Sequence, residues 1–392
     1  MGAALRLALV AGESSGDLLG ARVIAALRAA LGPGQLAVEG IGGAAMAAQG
    51  LHSLYPLERL AVMGLVEPLA RLPELLCLRR RLYRRLRAAP PDLFLGIDAP
   101  AFNLPLAARL RRAGVATAQL VSPTIWAWRP GRARSVAGAV DSLLCLYPFE
   151  PPLYAGLPLD ARYVGHPLAA ELAAAPSRQA VRAQLGIPGD ATVLALLPGS
   201  REAGAALLGA ALLRAGQLLR RRDPRRLLLL PAANEQRRRQ CAALLADPAL
   251  DGGVRLLRGQ AREAMIAADA VLVASGTATL EALLLARPMV IVYRLAALSF
   301  ALLSRLLRTR HVGLPNILAG DRALVPELLQ RQLTPVALAQ AAEQQLADGA
   351  AQLAALAPLR RALAVDFDAA LCCALAPRLP ASCADALATA AR

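Results

Sequence analysis

Leu5-Arg6-Leu7-Ala8-Leu9-Val10-Ala11, followed by Gly12-Glu13-Ser14-Ser15-Gly16-Asp17, decides the fold. A short apolar run bounded by glycine reads as a buried strand, and the polar turn after it leads into a helix over residues 18–30. The same strand-then-helix texture recurs with strands over 92–97, 117–121, 142–147 and 162–164. Pro176-Ser177 and Gly186-Ile187-Pro188-Gly189-Asp190 interrupt it. A second series then begins, with strands over 192–197, 227–231, 254–257, 270–274 and 289–293. Alternation of this kind predicts an α/β chain of two doubly wound, Rossmann-like domains facing across a cleft, with ligands outside the carboxyl ends of the strands. The expected domains are 1–172 and 173–350, with C-terminal helices over 351–392 that cross back or pass to a partner subunit.

Composition narrows the function. Hydrophobic residues make up 56% of the 392 and aromatics only 3%, so the core is built from Leu, Ala and Val and disorder is excluded. The net charge of +16 is carried by arginine alone, because the sequence has no lysine. A Walker-A lysine and a Schiff-base lysine are thereby excluded. The cation surplus points to an anionic partner. Nucleic acid is not that partner, since the arginines are scattered and no aromatics interleave with them. The six cysteines show no C-x-x-C spacing and read as free thiols of a reducing compartment. Neither a signal peptide nor an apolar run long enough to span a bilayer is evident, which predicts a cytoplasmic protein.

Two strand-to-helix loops carry the phosphate chemistry. In Pro198-Gly199-Ser200-Arg201 the small residues let the backbone approach an anion, helix-start N–H groups point at it, and Arg201 adds a planar fork. Ser275-Gly276-Thr277-Ala278-Thr279-Leu280-Glu281 repeats the design, with two hydroxyls in the first turn and Glu281 in reach of ribose hydroxyls. Together they predict a diphosphate site. Asp98, at the carboxyl end of an apolar strand before Pro100, is placed to take a proton from an attacking hydroxyl or to orient it. Arg201 and the helix starts can stabilise a departing diphosphate without a metal, and no carboxylate cluster resembles a metal site, so neither metal nor other cofactor is expected.

These motifs stand in order with others: Ala11 to Asp17, Ala61-Val62-Met63-Gly64, Gly96-Ile97-Asp98-Ala99-Pro100-Ala101-Phe102-Asn103, Ser122-Pro123-Thr124-Ile125-Trp126-Ala127-Trp128-Arg129, Pro148-Phe149-Glu150, Val164-Gly165-His166-Pro167 and Leu314-Pro315-Asn316. Over nearly its whole length the chain resembles the lipid-A-disaccharide synthase family. The resemblance implies a GT-B fold and an inverting glycosyltransferase that moves diacylglucosamine from UDP onto diacylglucosamine 1-phosphate. It assigns Gly199, Ser200, Arg201, Ser275, Gly276, Thr277, Thr279, Glu281 and Asn316 to the UDP-sugar, and Glu13, Ser14, Ser15 and Asn103 to the acceptor. One departure is Gly204, where family members usually carry Glu. The alternatives are a UDP-sugar epimerase-like enzyme, which would share the donor loops, and a catalytically weakened member of the family. The sequence leaves a homodimer open.

Residues 71–87 read as a helix with Leu72, Leu75, Leu78, Leu82 and Leu86 in one stripe, flanked by Arg79, Arg80, Arg81, Arg84, Arg85 and Arg87. With Leu76, this predicts docking to the anionic inner face of the cytoplasmic membrane through Leu72, Leu75, Leu76, Arg79 and Arg80, continued upstream by residues 57–69. A plain core helix has the same pattern.

Overall fold

Leu5–Ala11 forms β1, and of its residues only Arg6 is exposed. A strand buried on both faces belongs in the middle of a parallel sheet, and that is where it lies. The computed structural model describes residues 4–60, 71–128, 131–200, 202–247, 253–296, 300 and 309–390. Arg201, the Ala61-Val62-Met63-Gly64 motif, Arg129 and the upstream apolar stretch from 61 onward lie outside the described residues. The chain divides into two units, Met1–Pro167 with Leu363–Arg392, and Leu168–Ala362. The divisions therefore fall at 167 and 363, not at 172 and 350.

In the first unit, β1 is joined by β2 (Leu36–Ile41), β3 (Leu51–Tyr55), β4 (Leu93–Ile97), β5 (Ala116–Leu120), β6 (Ser142–Cys145) and β7 (Asp160–Tyr163). They make one parallel sheet in the order β3-β2-β1-β4-β5-β6-β7. The helix Ser14–Leu31 starts earlier than its apolar pattern, because Ser14 and Ser15 already occupy its first turn. The helices Phe367–Leu375 and Ala381–Ala390 bring Leu371, Leu375 and Leu387 into the same core as Val23, Ile24 and Leu27. The C-terminal segment thus completes the chain's own first unit.

The second unit contains β8 (Val193–Leu197), β9 (Leu227–Ala232), β10 (Val254–Arg258), β11 (Ala270–Ala274), β12 (Met289–Tyr293) and β13 (Glu327–Leu329). The order is β10-β9-β8-β11-β12-β13, again parallel. Three strands escape the sequence pattern. In β2, Glu39 and Gly40 interrupt the apolar run, while β3 and β13 are edge strands whose residues are largely half-exposed. The long helix Pro335–Leu363 breaks at Asp348 (φ −137°, ψ 42°), and the Gln352 amide beyond the break bonds both N and O of Met289 at 2.8 and 3.0 Å.

The arginine-rich helix, Leu72–Ala88, corrects one expectation. Leu78, Leu82 and Leu86 are at most 1% exposed and share a core with Phe94, Leu106 and Leu110, and Leu75 packs against that core. The stripe is therefore mostly interior, which is the usual fate of an amphipathic face beside a sheet. Leu72 alone of the stripe is well exposed, at 46%, and Leu76 is half-buried. Arg80 faces solvent, whereas Arg79 is half-buried and donates to the Ala101 carbonyl at 3.2 Å. No helix among the described residues is long and apolar enough to cross a membrane.

Candidate active site

β1 and β4 are sheet neighbours whose chain connections leave in opposite directions, so the loops at their carboxyl ends open a crevice. Asp98 sits there. Both Asp98 (φ 49°) and Ala99 (φ 41°) adopt left-handed backbone, which costs on the order of 1–3 kcal/mol each for residues other than glycine. The surrounding side chains hold this turn in place. Asn103 donates from Nδ2 to the carbonyls of Val10, Ile97 and Asp98 at 3.2, 3.3 and 2.9 Å. Gln119 donates from Nε2 to the carbonyls of Asp98 and Leu120 at 2.8 and 3.1 Å. Gly12 is required because a Cβ there would lie 2.4 Å from Ala99 Cβ. Burial raises the Asp98 carboxyl above the ordinary aspartate range, and the negative charge of Glu13 adds to the shift. A raised carboxylate is a better proton acceptor.

Glu13, Ser14 and Ser15 are exposed at the neighbouring helix start, where the Ser15 hydroxyl donates to Glu13. No side chain caps this helix start. Asn103, assigned by resemblance to the acceptor, is fully buried with its amide nitrogen directed to three carbonyls. It positions the Asp98 turn. Asp17 is likewise structural, accepting from Gly43, Ala45 and Met46 N at 2.7–3.1 Å.

In the second unit the equivalent switch falls between β8 and β11. The Gly199-Ser200 loop and the Ser275-Gly276-Thr277 loop leave the carboxyl ends of these two strands, and a Cβ on Gly199 (φ 96°) would lie 3.4 Å from Ala274 Cβ. Gly199, Ser200, Gly276 and Thr277 are exposed. No side-chain cap occupies the start of the helix Thr277–Leu284. Exposed, uncapped N–H groups at a helix start suit an anion. Ser275 is half-buried and donates its hydroxyl to the Val312 carbonyl at 2.7 Å, fixing the loop against residues 311–313. Glu281 is partly exposed. Burial raises its carboxyl, opposed by Arg262 and reinforced by Glu171.

Two residues assigned to the donor are buried and bonded within the fold. Thr279 is fully buried and its hydroxyl donates to the Gly276 carbonyl at 2.8 Å, so it tightens the turn. Asn316 is also fully buried and all its hydrogen-bonding capacity is used within the fold. Its amide donates to Val325 O and Glu327 Oε1 at 2.9 and 2.8 Å, and its oxygen accepts from Leu324 and Val325 N at 2.9 and 2.8 Å. Glu327, which the sequence did not mark, also accepts from Val312 and Gly313 N, both at 3.0 Å. The Asn316–Glu327 pair therefore shapes the loop that Ser275 leans on.

A third group comes from the motifs Pro148-Phe149-Glu150 and Val164-Gly165-His166-Pro167. Glu150 is 2% exposed and accepts from Tyr147 N at 3.1 Å; burial pushes its carboxyl up to about 8. His166, 8% exposed, is pushed down to about 4 by burial. Around them lie Trp126, Tyr147 and Phe149.

The family model for lipid-A-disaccharide synthetase (LpxB) matches residues 7–361. The chain belongs to this family. It is 48% identical over 367 residues to the lipid-A-disaccharide synthase of Azotobacter vinelandii, covering 93% of this chain and 96% of the relative. It is 48% identical over 350 residues to that of Chromobacterium violaceum, covering 89% and 90%. The chain is thus a glycosyltransferase of the lipid A pathway. Among solved structures it is similar to the calicheamicin glycosyltransferase CalG4 (TM-score 0.57, 17% identity, 98% of both chains). It is also similar to the UDP-GlcNAc 2-epimerase of Neisseria meningitidis bound to UDP-GlcNAc (TM-score 0.61, 12% identity, 93% and 95%). At these identities the likeness is one of fold, the GT-B arrangement of two α/β domains, and it gives the epimerase alternative no support.

Proposed function

We propose that the chain transfers 2,3-diacylglucosamine from UDP to 2,3-diacylglucosamine 1-phosphate, with inversion, forming the β-1,6-linked lipid A disaccharide 1-phosphate and UDP. The observation that carries this reading is the pair of loops at the β8–β11 switch, in a chain of this family. Backbone N–H groups near Gly199, Ser200, Gly276 and Thr277 hold the diphosphate, and the Arg201 guanidinium adds positive charge as UDP leaves. Glu281 accepts from ribose hydroxyls. In the first unit, Asp98 takes the proton of the attacking 6-hydroxyl, while Glu13, Ser14 and Ser15 orient the acceptor. Calorimetry is expected to show UDP binding with a Kd well below millimolar. The absence of heat at millimolar UDP, with folded protein, would overturn the donor site.

Both substrates carry acyl chains, so the enzyme works at the inner face of the cytoplasmic membrane. Leu72 and Leu76 supply the outward apolar contact and Arg80 meets anionic headgroups, at roughly 1 kcal/mol per cation near the surface. Flotation with anionic liposomes is expected to fall severalfold in a Leu72→Ser/Leu76→Ser/Arg80→Gln variant. Equal flotation of variant and wild type would remove this helix from the membrane contact.

A further inference from the structure

The whole chain has only two Trp, six Tyr and five Phe, yet three of these meet at the carboxyl ends of β5 and β6, beside the strand that bears Asp98. The Trp126 and Phe149 rings are 5.6 Å apart, edge to face. Phe149 and Tyr147 stack within 2° of parallel at 5.9 Å, and His166 follows at 6.4 Å from Tyr147. Trp126, Tyr147 and Phe149 are each partly exposed, although Leu146 and Glu150 next to them are buried. The loops that carry the rings are held firmly. Glu150 accepts from Tyr147 N across the 147–150 turn, the Ser122 hydroxyl shares a 2.8 Å hydrogen bond with Tyr154, and Val121 (φ 74°) fixes the exit from β5. Half-exposed rings on stiff loops form a surface prepared for a ligand, since little entropy remains to be lost on binding.

We propose that Trp126, Tyr147 and Phe149 form a ledge on which the glucosamine ring of the acceptor stacks. The proposal rests on the transfer reaction above. A pyranose presents a face of C–H groups with slight positive charge, which matches the negative face of an aromatic ring. An acyl chain needs only an aliphatic trough, which this leucine-rich sequence could have built without spending its scarce aromatics.

Steady-state kinetics with the acceptor varied would test the ledge. Trp126→Ala and Phe149→Ala are each expected to raise the acceptor KM roughly three- to tenfold, the range of one aromatic contact. The donor KM and kcat should change little. Phe149→Leu, which keeps apolar volume but removes the ring face, should behave like the alanine variant, and Phe149→Tyr should restore the wild-type value. Glucosamine 1-phosphate, which has no acyl chains, should inhibit competitively and lose potency in the variants by the same factor. An unchanged acceptor KM in folded Phe149→Leu overturns the proposal. So does a loss seen with long-chain acceptor but not with glucosamine 1-phosphate, because the rings would then serve the acyl chain. If the wild type releases no UDP with both substrates present, the transfer reaction itself fails, and that result is distinct from either.

Discussion

Asp98→Asn is expected to lower kcat about a thousandfold, within the span that a positioned general base contributes. UDP affinity and melting temperature should stay near wild type. The amide is isosteric with the carboxyl and cannot take the proton of the attacking hydroxyl. The left-handed turn depends on the Asp98 carbonyl, which accepts from Asn103 and Gln119, and the substitution leaves that carbonyl in place. The pH profile adds a second reading. A base must be ionised to work, and burial together with the Glu13 charge raises the Asp98 carboxyl. Activity is therefore lost as pH falls through a value above that of an ordinary aspartate. Glu13→Gln removes the smaller of the two causes and should move the acid limb of kcat/KM to lower pH. Near-normal turnover in Asp98→Asn would remove Asp98 as the base, and an acid limb that ignores Glu13 would remove the coupling between the two carboxylates.

Asn316→Ala is expected to destabilise the second unit by roughly 3 kcal/mol, because it strands several buried polar groups at once. Leu324 N and Val325 N lose their acceptor, while Val325 O and the Glu327 carboxylate lose a donor. Denaturant titration would show the loss directly. UDP affinity measured below the unfolding transition should fall only modestly, since Asn316 is fully buried and acts on the ligand through the loop that Ser275 leans on. A stable variant that no longer binds UDP would reverse this and return Asn316 to the donor site.

The central strands were legible because a strand buried on both faces has to be apolar. β1, β11 and β12 fall on the residues their apolar runs mark. The edge strands β3 and β13 were not legible, since one-sided burial leaves a mixed composition that loops share. The placement of Gly199, Gly276 and Asp98 at strand ends could be read because glycine after a strand and a carboxylate at a strand end are marked locally. Thr279, Asn103 and Asn316 were legible as polar motif residues but not as structural ones. Their roles depend on partners such as Val10, Gln119 and Glu327 that are distant or unremarkable in the sequence.

The sequence by itself determined the α/β class, the loop-to-helix junctions after β8 and β11 and the family, because these follow from local periodicity, backbone chemistry and ordered motifs. Only the tertiary structure decided which polar residues are buried and hold the scaffold and which stay exposed. It also decided that the leucine stripe of Leu72–Ala88 is mostly core, and that the last helices complete the first unit. Burial is the reason. Whether a side chain meets water, a ligand or another side chain is fixed by segments far apart in the chain, and no local pattern records it.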